Sequence, residues 1–312
     1  LNESSIALVA QGLTKRYGST DGGLLAVDHI DMEIRRGEVF GFLGPNGAGK
    51  TTTIRMLTGL ARPTSGSAQV LGLDLERDRS RIKKRIGVVP ESSNLYAELS
   101  ALDNLVFSMQ LYGVPRTERV ARAEELLSRF RLAEKRDTSF GKLSRGMKRA
   151  LTVAAALAHR PEIVFLDEPT TGLDVVSARG LRQTIAGLRD QGITVFLTTH
   201  YLEEAERLCD RIALLVKGRI VALDTVEGLK AQVQETTSVE ITLDGGPNGT
   251  ESRRLVAEDV PSVVKQAIAQ AEEQGRGVLS IHTVRPTLED AFVQLTGLST
   301  ELMRIDKSRK GA

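Results

Sequence analysis

Gly44, Gly47, Gly49, Lys50 and Thr51 fall within one stretch, GFLGPNGAGKTTTIRML. The pattern Gly44-x-x-x-x-Gly49-Lys50-Thr51, with an apolar run before it and a helical pattern after it, is that of a phosphate-binding loop. Its glycines let the chain curl until backbone N–H groups point inward, and the positive end of the following helix adds to the attraction for an anion. In such a nest Lys50 would reach the β- and γ-phosphates of a nucleotide, Thr51 would hold Mg²⁺ and Thr52 would donate to the α-phosphate. A second stretch, EIVFLDEP, ends an apolar run in two adjacent acids. Successive strand residues face opposite ways, so Asp167 is expected in a metal shell and Glu168 as the base that activates water.

Two further stretches carry charge in suggestive places. KLSRGMKRALTVAAALAHRP sets Ser144, a favoured N-cap, before an Ala- and Leu-rich helix that stops near Pro161, which supplies a second helix N-terminus suited to an anion. Arg145 stands in its first turn, where a cation is disfavoured by ~0.3–1 kcal/mol unless an anion offsets it. In IGVVPESSN, Glu91 follows a proline at the end of an apolar run. By type alone it fits a catalytic acid, a metal ligand or a solvated loop residue.

These groups need a frame. EVFGFLG (38–44), RIGVVP (85–90), EIVFLDEP (162–169), ITVFLTTH (193–200) and RIALLVKG (211–218) read as buried strands of a largely parallel sheet wrapped by helices. HIDMEIRRGE instead alternates Ile30, Met32 and Ile34 with polar residues, which predicts a half-exposed antiparallel pair. From about 96 to 160 no strand pattern appears, and RVARAEELLSRFRL puts Val120, Ala123, Leu126, Leu127 and Phe130 on one helical face. That region reads as an inserted helical subdomain. After about residue 228 the pattern restarts with strands in TSVEITLDGG and SRRLVA, a helix ending at Gly275, a strand in VLSIHTV, and a helix in PTLEDAFVQLTG. The last helix opens with Thr287 and, three residues on, Asp290, in the manner of a capping box, and stops at Gly297. The expected architecture is an α/β domain over 1–228 followed by a small α/β accessory domain over 229–312.

At 312 residues, 41% hydrophobic and 26% charged, the chain is long enough for two domains. A formal net charge of +2 gives no electrostatic case for a nucleic-acid partner. The run RIDKSRKGA (304–312) reads as a solvated end. A single cysteine, Cys209, cannot make an internal disulfide, which suits a reducing cytoplasm. No apolar stretch approaches the roughly 20 residues a spanning helix needs, so a membrane location would require a partner.

Taken together these residues resemble the ATP-binding cassette (ABC) family, over residues 5 to about 225. GPNGAGKTT looks like its Walker A motif, IVFLDEP its Walker B, LSRGM its signature and TTGLD, with Asp174, its D-loop. His200 resembles its switch histidine, Tyr17 in GLTKRYG the aromatic that stacks on adenine, and Glu91 falls at the Q-loop. The resemblance implies that Gly44, Pro45, Asn46, Gly47, Ala48, Gly49, Lys50, Thr51 and Thr52 cradle ATP, that Thr51, Glu91 and Asp167 attend Mg²⁺, and that Glu168 and His200 serve catalysis. It also implies a head-to-tail pair of cassettes, a homodimer or a pair of different chains. Ser144 and Gly146 would then meet the partner's ATP, with Asp174 at the seam.

Arg145 and Met147 replace the common Gly and Gln of the signature, and Glu91 replaces the common Gln. Both variants resemble drug and antibiotic exporter cassettes, including daunorubicin-resistance and sodium-export proteins, whose permease is a separate chain. The ending RPTLEDAFVQLTG is similar to theirs. The expectation is an ATPase at the cytoplasmic face of the membrane, touching a permease through Leu95, Tyr96 and Leu99, with Glu91 a metal-side sensor. A soluble ABC ATPase acting as a mechanochemical switch, or a P-loop kinase, would be the rival; the kinase leaves Ser144 and His200 without a purpose.

Overall fold

The structure, a computed structural model, describes residues 5–18, 22–233, 238–244, 250–256, 259–284, 286–300 and 303; the charged run 304–312 lies outside them. Contacts divide the chain into two units, Leu1–Val226 with Ser299–Ala312, and Glu227–Leu298. The first unit begins with β1 (Ile6–Tyr17), β2 (Leu24–Arg35), β3 (Val39–Leu43), α1 (Lys50–Leu57), β4 (Ser65–Val70), β5 (Leu73–Asp74), α2 (Arg79–Lys83) and β6 (Ile86–Val89). It continues with α3 (Ala101–Leu111), α4 (Arg116–Arg129), α5 (Arg145–Leu157), β7 (Ile163–Asp167), α6 (Val175–Arg189), β8 (Thr194–Thr199), α7 (Leu202–Leu208), β9 (Arg211–Val216) and β10 (Arg219–Thr225).

The alternating start forms the expected antiparallel pair, with Ala10 opposite Met32 and Leu8 opposite Ile34. Ile30, Met32 and Ile34 are buried while Asp31 between them is exposed. Strands β4 and β5 extend this sheet in the order β2-β1-β4-β5. The uninterrupted apolar runs form a second sheet in the order β10-β9-β3-β8-β7-β6, parallel throughout except for β10 beside β9. Every residue of β3, β7 and β8 is buried, as a sheet covered on both faces requires. Phe196 of β8 sits with its ring 5.9, 5.4 and 5.5 Å from those of Phe40, Phe42 and Phe165, at the middle of this layer. The strand order sets the C-terminal ends of β3, β8, β7 and β6 side by side, the edge at which open α/β sheets bind ligands.

The segment between β6 and β7 is helical. Ser100 caps α3 by accepting from Asp103 N at 3.0 Å. Buried Asn104 fastens the preceding turn: its Nδ2 donates to Tyr96 O, Leu99 O and Ser100 O, and its Oδ1 accepts from Tyr96 N at 2.9 Å. Ala123, Leu126, Leu127 and Phe130 are buried as expected, but Val120 is 47% exposed. The early turns of α4 are anchored instead by Arg119, whose Nε donates to Val114 O at 2.7 Å, and Val120 is left facing water.

In the second unit, α8 (Val226–Ala231) starts at the boundary and is followed by β11 (Ser238–Asp244), β12 (Thr250–Val256), α9 (Val260–Glu273), β13 (Val278–Val284) and α10 (Leu288–Thr296). Its antiparallel sheet has the order β12-β11-β13. Val239, Ile241 and Leu243 alternate onto one face and pack with Ala267 and Ala271 of α9. The expected capping box is present: Thr287 Oγ1 accepts from Asp290 N at 3.1 Å and Asp290 Oδ2 accepts from Thr287 N at 2.8 Å.

Phe196→Ala removes the ring at the centre of the parallel sheet and should destabilise the first unit by ~3–5 kcal/mol. Urea denaturation followed by far-UV circular dichroism measures this; a loss below about 1 kcal/mol would mean that the layer repacks freely.

Candidate functional site

Helix α1 starts at Lys50 with Gly49 as its N-cap. Gly49 has φ +108°, and a Cβ there would collide with Ala26 O of β2, so only glycine closes the turn against that strand. Above the turn lies a cleft of about 530 Å³ lined by Tyr17, Asn46, Gly47, Gly49, Lys50, Thr51, Thr52, Glu91 and Glu168. The rest of the loop shapes its floor: Gly44 O and Pro45 O accept from Lys50 Nζ at 2.6 and 3.2 Å, and buried Ala48 donates its N–H to Pro45 O at 3.2 Å.

Lys50 Nζ also stands 3.2 Å from Glu168 Oε1, with the two side chains 4% and 5% exposed. On the other side of that carboxylate, His200 Nδ1 lies 3.0 Å from Oε2, although Nδ1 lacks hydrogen-bond alignment. Thr171 Oγ1 donates to Oε2 at 3.1 Å. Burial pushes Glu168 up, but the His200 contact and the Lys50 ammonium outweigh it and hold the carboxyl down, at about 2.

Asp167 behaves in the opposite way. Burial pushes it up, against hydrogen bonds from the Thr198 hydroxyl, at 2.6 Å, and from the Thr51 hydroxyl. Thr51 and Asp167 therefore offer two hard oxygens together. That fits Mg²⁺, which usually takes one or two protein ligands and completes its shell with phosphate and water. The charge of Glu91, exposed at the rim, acts on Asp167 in the same sense as that of Glu168.

The separation of the two acids has a different cause from the one expected. Strand β7 ends at Asp167, and Glu168 has φ +45°, so a left-handed residue and not the pleat turns the second carboxylate toward Lys50. Such a conformation costs ~1–3 kcal/mol for a non-glycine residue. Glu168 N fixes it by donating to Thr198 O and Thr198 Oγ1, both at 3.1 Å.

Ser144, Gly146 and Asp174 stand apart from this cleft and from the groups around Glu168. Ser144 caps α5, accepting from Met147 N at 3.3 Å, and lines with Gly146 a second groove of about 560 Å³ that also takes in Ser177 of α6. Asp174 caps α6, accepting from Ser177 N at 2.9 Å. The Arg145 guanidinium packs on Gly172, where any Cβ would strike it, so the signature's unusual cation rests on the TTGLD segment.

Sequence reasoning missed several contributors. Arg55, Lys217 and the β2 residues Leu24 to Ala26 line the first cleft. Lys15 Nζ stands 5.0 Å from the centre of the Tyr17 ring and donates to Arg62 O at 2.7 Å, which steadies the aromatic. Most connected of all is buried Arg149 of α5. Its Nε donates to Pro169 O at 2.8 Å, its Nη2 to Asp167 O at 2.8 Å and Glu168 O at 3.2 Å, and its Nη1 to Pro90 O and, at 3.3 Å, Glu91 O. Only the burial of residue 149 could have signalled this, and Arg in a helix reads as solvated until the fold is known.

Residues 27–171 match the family described as ABC transporter. The linearmycin resistance ATP-binding protein of Bacillus subtilis (strain 168) is 35% identical over 309 residues, covering 93% of this chain and 98% of that protein. The Nod factor export ATP-binding protein I of Mesorhizobium japonicum is 37% identical over 310 residues, covering 96% of this chain and 89% of that protein. Among solved structures, the dimeric post-hydrolysis state of the ATP-binding cassette MJ0796 bound to ADP and phosphate superposes with a TM-score of 0.65 at 26% identity, covering 70% of this chain and 98% of that one.

Because the Glu168 pKa is lowered from 4.5 to about 2, its stabilising contribution is complete above about 4.5 and is lost as pH falls toward about 2. Urea midpoints taken from about pH 6 down to about pH 2.5 should therefore drop more steeply for the parent than for Glu168→Gln. Parallel curves would show that the pair adds nothing on folding.

Proposed function

The chain belongs to the ABC transporter family as its ATP-binding and ATP-hydrolysing subunit, and from that membership we propose how its residues divide the work. Its type is the exporter cassette, with relatives named for resistance and for Nod factor export, and not the soluble switch. Such cassettes act in pairs on permease partners.

One observation carries the catalytic assignment: Lys50, Glu168 and His200 meet in near-complete burial beside the phosphate loop. ATP lies with its phosphates in the nest of residues 44–52 and its adenine on Tyr17, a stacking contribution of ~1–3 kcal/mol. A carboxylate held at about 2 is a weak base. Lys50 therefore exchanges Glu168 for the β- and γ-phosphates, and Glu168, relieved of that ammonium though not of His200, regains part of its affinity for the proton of the attacking water. His200 stays against Glu168 and orients the water or the γ-phosphate. Thr51, Asp167 and Glu91 would hold Mg²⁺, which supplies charge neutralisation at the phosphates.

Ser144 and Gly146 serve the ATP of the paired cassette, which accounts for their groove being separate from the cleft. Asp174 lies at the seam. Arg145, resting on Gly172, keeps its charge near that seam and offsets the γ-phosphate arriving opposite. Glu91 senses the metal side of the site, and the segment after it, with Leu95, Tyr96 and Leu99, meets the permease. Tyr96 supports that role, being 52% exposed on a backbone pinned by Asn104. Among the described residues no helix is long and apolar enough to cross a membrane, so the cytoplasmic face is reached through the permease.

Glu168→Gln should cut ATP turnover by ~10²–10⁴ while ATP binding persists, and Glu91→Gln should keep substantial turnover. Steady-state phosphate release with equilibrium nucleotide binding decides it; the reverse pattern would exchange the two roles. Tyr96→Glu should leave the ATPase of the isolated chain intact and abolish co-purification with the permease. Retained co-purification would move the contact elsewhere.

A further inference from the structure

The Arg149 guanidinium is planar and carries five N–H donors in a fixed fork. In this chain the fork is divided between two segments: Nη1 takes the carbonyls of Pro90 and Glu91, while Nη2 and Nε take those of Asp167, Glu168 and Pro169. The residue is 6% exposed. Burial pushes its pKa down, but the carboxylates of Asp167, Glu204, Glu91 and Glu168 surround it and favour the cation. One turn further along α5, Thr152 Oγ1 donates to Ser93 Oγ at 3.0 Å, which makes a second tie to the same loop. The helix that Ser144 caps is therefore bonded to the 90–93 loop and to the end of β7 together.

We propose that Arg149 is a positioning residue that locks the Glu91 turn and the Asp167–Glu168 backbone to helix α5, so that displacement of the 90–96 segment reaches Glu168 without passing through the nucleotide. The strained backbone of Glu168 makes this effective. At φ +45° its carboxylate direction is set by the peptide groups on either side, and Arg149 holds the carbonyls of residues 167, 168 and 169. Lysine keeps the charge but is a point donor that cannot span both segments. This role rests on the reading of Glu168 as the base.

The test uses the full chain. Arg149→Lys should lower kcat for Mg-ATP at least tenfold, expressed per site titrated with trinitrophenyl-ATP, while KM and the affinity for that analogue change less than twofold. Arg149→Met should fall at least as far; counting only titrated sites keeps lost folding out of the rate. The chain has no tryptophan, so Tyr96→Trp gives a single fluorescent reporter on the loop. A non-hydrolysable ATP analogue should shift its emission, and adding R149K should remove the shift while the analogue still binds. A parent-like kcat in R149K, KM and affinity worsening in step with kcat, no response in Y96W, or an undiminished response in the double variant overturns the proposal. Glu168→Gln in the same assay separates the two claims: a parent-like rate there sinks the base assignment, whereas the strut stands or falls on the R149K results.

Discussion

An ammonium and a carboxylate 3.2 Å apart, both almost without solvent, set the terms for the rest of the site. Desolvating each ion costs several kcal/mol, and their attraction offsets this only when the remaining hydrogen-bonding capacity is met. The loop answers for Lys50 with the carbonyls of Gly44 and Pro45. The turn after β7 answers for Glu168 with Thr171, and the end of β8 brings the His200 ring close. Even the left-handed backbone of Glu168 follows from this requirement, since it turns the side chain inward toward the cation.

The two departures from the common motifs lie in different dielectric settings. Glu91 is exposed, so its repulsion of Asp167 and Glu168 is screened and the added charge is tolerable. Arg145 is accommodated by a neighbour that has no side chain, Gly172, which makes the two residues a matched set. Gly172 is held to glycine more by its own backbone, at φ +72°, than by this contact, since the exposed Arg145 side chain can swing aside.

What could be read in the sequence was what depends on local pattern. Parallel strands buried on both faces announce themselves as apolar runs, and Thr287 with Asp290 announces a cap, because neighbours along the chain decide both. The loop of residues 44–51 is equally legible, since its glycines and lysine follow a fixed spacing, although its turn closes against Ala26 of β2. Val120 failed because periodicity assigns a face but not what lies opposite it. The conformation of Glu168 was hidden because a positive φ at a glutamate is paid for by Thr198, thirty residues away in the chain. Arg149 was hidden for the same reason, as its acceptors are backbone carbonyls and leave no trace in residue type. Lys15 and Lys217 owe their places to strand pairing, which no spacing records.

The order β3-β8-β7-β6 also governs how the protein comes into being. Gly44, His200, Glu168 and Glu91 lie far apart along the chain and become neighbours only when four parallel strands have closed their crossovers. Parallel pairing at long sequence separation has high contact order and is slow, with apolar strand edges open to aggregation while it proceeds. No earlier species has the complete cleft. Nucleotide consequently binds the finished sheet alone and withdraws it from equilibrium with its precursors, by about 4 kcal/mol at a thousandfold excess over Kd. A ligand that needs the finished cleft is thus a folding ligand as well, favouring molecules whose strands have been threaded in the right order.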